Sequence, residues 1–133
     1  MPAGPLPRPT DAELAILRVL WSNGPSTVRQ VYAVVADGRT LAYTTVLKLL
    51  QIMTDKGLTT REPLGQQHVY TARRTEQDTQ RQLVKDLLDR AFAGSTSQLV
   101  MQALATTTAS PAELREIRRL LAAAGAAARA KKP

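Results

Sequence analysis

The stretch Leu41–Ala72, LAYTTVLKLLQIMTDKGLTTREPLGQQHVYTA, decides how this chain folds. Val46, Leu49, Leu50 and Met53 recur at helical spacing and predict a helix from about Ala42 to Lys56 with one face toward a core. Gly57 is its expected stop, because a left-handed residue commonly ends a helix. Leu58–Glu62 and His68–Ala72 then read as short strands, with Pro63-Leu64-Gly65-Gln66-Gln67 as the loop of a hairpin. A helix followed at once by a two-stranded ribbon is half of a winged helix-turn-helix; the other half lies upstream.

Thr10-Asp11-Ala12-Glu13 has the form of a capping box and opens a first helix carrying Leu14, Ile16, Leu17, Leu20 and Trp21. Asn23-Gly24-Pro25 breaks it. Ser26 is the expected cap of a second helix, about Thr27–Ala36, with Val28, Val31, Val34 and Val35 as its apolar side and Asp37-Gly38 as its end. The predicted fold is therefore mainly α: a winged helix-turn-helix of three helices and a two- or three-stranded wing over residues 10–73. The proline-rich residues 1–9 read as a flexible arm.

From Arg74 the chain turns to helix-formers. One helix is expected over Glu76–Ala93, ended by Gly94, and a second over Thr96–Ala105. Ser110-Pro111-Ala112-Glu113 begins a third with a cap, a proline at the first helical position and an acid in the first turn. Leu83, Leu87, Leu88, Phe92, Leu99, Val100, Leu104, Leu114, Ile117, Leu120 and Leu121 line these helices. Three narrow amphipathic helices make a poor core alone, so residues 74–124 are expected to build a homodimer, with 125–133 a frayed basic tail.

The 133 residues carry 18 Lys+Arg against 11 Asp+Glu, a net charge of +7, and no cysteine. Polyanions are plausible partners, and disulfides, cysteine-ligated zinc and cysteine nucleophiles are excluded. No secretory signal or membrane-spanning run is visible, so a cytoplasmic protein without membrane association is expected. The charge is spread: residues 1–73 hold eight basic and five acidic groups (+3), residues 74–133 ten and six (+4). The fold pattern, rather than the charge, points to nucleic acid.

In a helix-turn-helix the second helix enters the major groove with its N-terminal residues foremost. Here that helix opens on Tyr43, Thr44 and Thr45, and Lys48 and Gln51 follow on the same side. Hydroxyls, a cation and an amide suit phosphates and base edges. Tyr43 either donates to a phosphate or packs at the helix start, and Leu47 either touches a base methyl or edges the core. Arg61, Gln66, Gln67 and His68 stand near the wing tip, where contacts position more than they specify. Arg73 and Arg74 either extend these contacts or form a solvated hinge. His68 is the sole histidine and has no companion at ligand spacing, so no metal and no cofactor are expected.

From Thr10 to about Ala124 the chain resembles the penicillinase-repressor family of bacterial transcription regulators (the BlaI/MecI type). The residues that carry the resemblance are Asp11-Ala12-Glu13-Leu14, Leu20-Trp21, Ser26-Thr27-Val28-Arg29-Gln30-Val31, Ala42-Tyr43-Thr44-Thr45-Val46-Leu47, Lys56-Gly57-Leu58 and Tyr70. The resemblance implies a homodimeric repressor on a palindromic operator in double-stranded DNA. It also implies a release step. Some members are cut by a sensor protease between Asn and Phe; Gln102-Ala103 stands at that place here and departs from the pattern. Others sense copper through cysteines, which this chain lacks. No catalytic arrangement of Ser/His/Asp, paired carboxylates or a Gly-rich phosphate loop is recognisable, so an enzyme is not expected. The alternative is a winged-helix module that binds protein and no DNA.

Overall fold

A computed structural model describes residues 7–38 and 41–131. Its elements are α1 (Asp11–Asn23), β1 (Ser26–Thr27), α2 (Val28–Gly38), α3 (Tyr43–Lys56), β2 (Thr59–Leu64), β3 (Gln67–Ala72), α4 (Glu76–Ala91), α5 (Thr96–Thr106) and α6 (Pro111–Ala130). The chain divides into two compact units within α4, Met1–Asp86 and Leu87–Pro133. Among the described residues no helix is long and apolar enough to cross a membrane.

In the first unit the capping box at α1 is formed on both sides. The Thr10 hydroxyl accepts from the Glu13 amide at 3.2 Å, and a Glu13 carboxylate oxygen accepts from the Thr10 amide at 2.9 Å. Ile16, Leu17, Val19 and Leu20 of α1 pack on Val28, Val31 and Val35 of α2 and Val46, Leu50 and Met53 of α3, with Leu58 and Tyr70 closing the core. Val19 joins this face beyond the expected set, while Leu14 and Trp21 are half-buried. Val34, expected inside, is 47% exposed. Residues 28, 31 and 35 follow one helical stripe, and position 34 falls roughly 60–100° off it at 3.6 residues per turn.

Residues 26 and 27 are a third strand, which corrects the expectation that Ser26 caps α2. Ser26 pairs with Tyr70 and Thr27 with Val69, and the Ser26 hydroxyl donates to the Gly24 carbonyl at 2.8 Å. Thr27 does the capping: its hydroxyl accepts from the Gln30 amide at 3.2 Å, and the Gln30 side chain accepts from the Thr27 amide at 2.9 Å. The Thr-x-x-Gln spacing of a capping box was in the sequence one residue later than read. The resulting sheet has the order β1-β3-β2, all antiparallel.

The hairpin is tighter than its sequence suggested. Leu64 pairs with Gln67 and Pro63 with His68, so the turn is Gly65-Gln66 alone. Gly65 has φ +63°, and glycine at the first central position is what a two-residue type II′ hairpin asks for. Pro63 is tolerated inside the strand because β2 is an edge. The pair after a hydrogen-bonded closing pair makes no ladder bonds, so the missing N–H removes nothing.

After the wing, the Trp21 indole N–H donates to the Arg74 carbonyl at 3.0 Å, and Thr79 of α4 is buried. Residues 1–6 of the expected N-terminal arm lie outside the described residues, as do Lys132 and Pro133 of the expected tail. Pro9, read as part of the arm, is buried.

The second unit holds the end of α4 together with α5 and α6. The turn after α4 has Ala93 at φ 48° and Gly94 at φ 82°, so the helix stops at Ala91, two residues early. Ser95 caps α5 and Ser110 caps α6, the latter with a reciprocal Glu113 box and Pro111 in the first turn. The expected frayed tail is instead helix as far as Ala130. Alanine is the best helix former, and the run from Ala122 to Ala130 offsets the one glycine in it.

Candidate nucleic-acid interface

Helix α3 owes its position to its buried stripe. Val46, Leu50 and Met53 are fully buried, which leaves Thr44, Thr45, Lys48 and Gln51 exposed. Its N-cap is Ala42, which makes no side-chain capping bond, and no acid lies in the first turn. The first amides of α3 therefore point outward without side-chain acceptors, an end that favours anions. The Tyr43 ring stands edge-on to Tyr32, with centroids 5.6 Å apart and planes at 71°. Tyr43 thus both packs at the helix start and keeps 39% of its surface exposed.

The other end of α3 is tied down. Lys56 Nζ donates to both Glu13 carboxylate oxygens, at 2.8 and 2.9 Å, and Glu13 is only 2% exposed. Burial alone would raise the Glu13 pKa. The Lys56 hydrogen bonds, the Thr10 backbone bond and the Lys56 charge outweigh it and hold the carboxyl below its ordinary value. Gly57, at φ 85°, then reverses the chain into the wing.

Strand pairing sorts the wing into two faces. Thr59 and Ala72, Arg61 and Tyr70, and Pro63 and His68 are cross-strand pairs on one face. Thr59 and Tyr70 are buried, so this face is the inner one. Glu62, Leu64 and Thr60 take the outer face. The His68 and Tyr70 rings lie 6.4 Å apart along β3.

An open cleft of about 280 Å³ lies between the start of α2, α3 and the inner face of the wing. It brings together six of the expected residues: Tyr43, Gln51, Arg61, Gln66, Gln67 and His68. Thr44, Thr45 and Lys48 do not line it; they stand exposed elsewhere on α3. Leu47 forms part of the cleft wall and packs against the core. Arg29, Val28 and Tyr70 also line the cleft and were not among the expected site residues. Among the described residues no acidic side chain lines it. The signal for Arg29 was non-local: strand β1 draws the first turn of α2 against the wing, and a two-residue strand leaves little trace in sequence.

The residues expected at a dimer contact lie on α4–α6, except Phe92 in the turn after α4, and none is buried. Leu87 is 49% exposed, Leu104 45%, Leu120 53% and Leu121 60%. Within Leu87–Lys131 no residue at all is buried.

A family profile described as Penicillinase repressor matches residues 9–123. A transcriptional regulator BlaI of Mycobacterium tuberculosis is 46% identical over 54 residues, 40% of this chain and 39% of that relative, so the chain matches well under half of its length. A penicillinase repressor of Bacillus licheniformis is 24% identical over 116 residues, 87% of this chain and 91% of the relative. Among solved structures, the DNA-binding domain of the repressor BlaI superimposes with a TM-score of 0.51 at 26% identity, covering 56% of this chain and 90% of that one. That likeness gives the first unit the winged-helix fold, and with the profile spanning both units, the chain belongs to the penicillinase repressor family.

Proposed function

We propose that this chain is a DNA-binding transcriptional repressor that works as a homodimer on an inverted-repeat operator in the bacterial cytoplasm. The observation that carries the reading is the outward side of α3. It presents Thr44, Thr45, Lys48 and Gln51 on a helix whose opposite stripe is locked in the core, beside a wing that carries Arg61. Side chains of that kind recognise base edges and phosphates. The names of its relatives, a transcriptional regulator and a penicillinase repressor, support the same reading, as does the solved relative, a repressor's DNA-binding domain.

Self-association is supported by the second unit, which buries no residue of its own while exposing leucines on α4, α5 and α6. Exposed apolar side chains on three successive helices are what a partner surface would cover. A two-fold dimer places two recognition helices on one face of the duplex, with half-sites roughly 10 bp apart or a multiple of it.

Footprinting of the purified chain on the DNA upstream of its own gene tests the proposal. Two protected half-sites related by a dyad are expected. Absence of protection there, together with no binding to any duplex at low salt, would leave the protein-interaction alternative standing.

A further inference from the structure

Two guanidiniums and a phenol converge on the cleft beside α3. Arg61 lies directly opposite Tyr70 on the inner face of the wing, and Arg29 reaches the same cleft from the first turn of α2. Both arginines are exposed, and among the described residues neither is recorded in an ion pair. Tyr70 is 1% exposed. Tyr70 lines the same cleft.

We propose that this cleft seats one phosphodiester of the duplex backbone, held by Arg29, Arg61 and the Tyr70 hydroxyl, while Thr44, Thr45 and Lys48 outside it meet the base edges. The assignment rests on the DNA-binding reading above. Arginine offers a planar fork of donors that matches a phosphate's oxygens, and the phenol adds a neutral donor on an immobile ring. All three groups donate. The one nearby wing carboxylate, Glu62, points to the other face by strand alternation.

The test is a salt titration of the full chain on a random-sequence duplex between about 50 and 200 mM salt, for wild type, Arg29→Gln, Arg61→Gln and Tyr70→Phe. Both arginines serve one phosphate, so each variant is expected to reduce the slope of log K against log salt, by up to about 0.9 for the loss of one seat. Tyr70→Phe removes a neutral donor, so it is expected to lower affinity by up to about tenfold with the slope unchanged. Melting curves check that all three variants remain folded. In a parallel arm, inorganic phosphate is added to the wild-type chain and the arginine side-chain NMR signals are followed. Slopes that fall in both arginine variants support a backbone seat. Unchanged slopes in both, with wild type still binding, overturn the seat and leave DNA binding intact. Should phosphate then shift Arg29 and Arg61, the cleft serves a free anion and the proposal is equally overturned. A wild type that binds no duplex at low salt removes the seat and the DNA-binding reading together.

Discussion

Glu13 serves two helices with one carboxylate. It closes the capping box of α1 and takes both hydrogen bonds of Lys56 at the last turn of α3. Replacing it with glutamine leaves a buried amide beside an ammonium and is expected to cost about 2 kcal/mol in a urea melt at pH 7. Its folded-state pKa is depressed. Its contribution is therefore full above the unfolded value of about 4.3 and is lost as pH falls through the lower folded value. The gap between wild type and Glu13→Gln should close in acid; a gap of the same size at pH 7 and at pH 3 would assign the loss to packing. On the opposite side of α3, Lys48→Ala is expected to weaken operator binding and Thr45→Ala to weaken it or relax base preference, read by gel shift. Unchanged affinity in both refutes the use of that face. The capping half of Glu13's role was legible in sequence because Thr10 lies three residues away. The ion pair was not, because 43 residues separate Glu13 from Lys56. Arg29 was missed for the same reason, since pairing of Thr27 with Val69 brings it to the wing.

At the level of elements, local signals foretold the helices well and the sheet less so. Capping boxes and the Gly57 stop set the starts of α1 and α6 and the end of α3 within a residue. Strand β1 escaped notice because two residues show no alternation; only their partners in β3 define them. The hairpin was read too long because Pro63 and Leu64 look like loop residues out of context. An edge position with no ladder bond to lose lets the proline stay in line. Helix α6 reaches Ala130 despite Gly125, where an added Cβ would meet only Arg129 Nη1 at 3.6 Å, an ordinary contact. Gly125→Ala is therefore expected to stabilise the helical unit by about 0.8 kcal/mol, seen as a higher thermal midpoint by circular dichroism. A lower midpoint would mean that the glycine is needed for close approach of another surface.

For the whole molecule, the contrast between the two units matters most. Among the described residues the first has a closed core of twelve buried apolar side chains and the second buries none. A homodimer of the kind proposed would make melting depend on concentration, because anything that binds only the folded form stabilises it by mass action. The thermal midpoint of the full chain is expected to rise with protein concentration, and Leu120→Glu combined with Leu121→Glu should abolish the dependence and sediment as a monomer. A concentration-independent midpoint for wild type, with a monomeric mass, would place no dimer contact on α6. The even spread of basic groups along the chain does not mark the cleft, because the cleft gathers Arg29 and Arg61 from positions 32 residues apart.

The hydrogen bond from Trp21 to the Arg74 carbonyl gives the molecule a built-in reporter. Trp21 is the only tryptophan and Tyr32, Tyr43 and Tyr70 are the only tyrosines; all four belong to the first unit. The second unit has a single aromatic ring, Phe92. Fluorescence excited near 295 nm, roughly where indole alone absorbs, watches the winged helix and is blind to the helices beyond it, whereas the far-ultraviolet signal weighs both. Recording the two in one melt separates unfolding of the first unit from unfolding of the second, with no label attached.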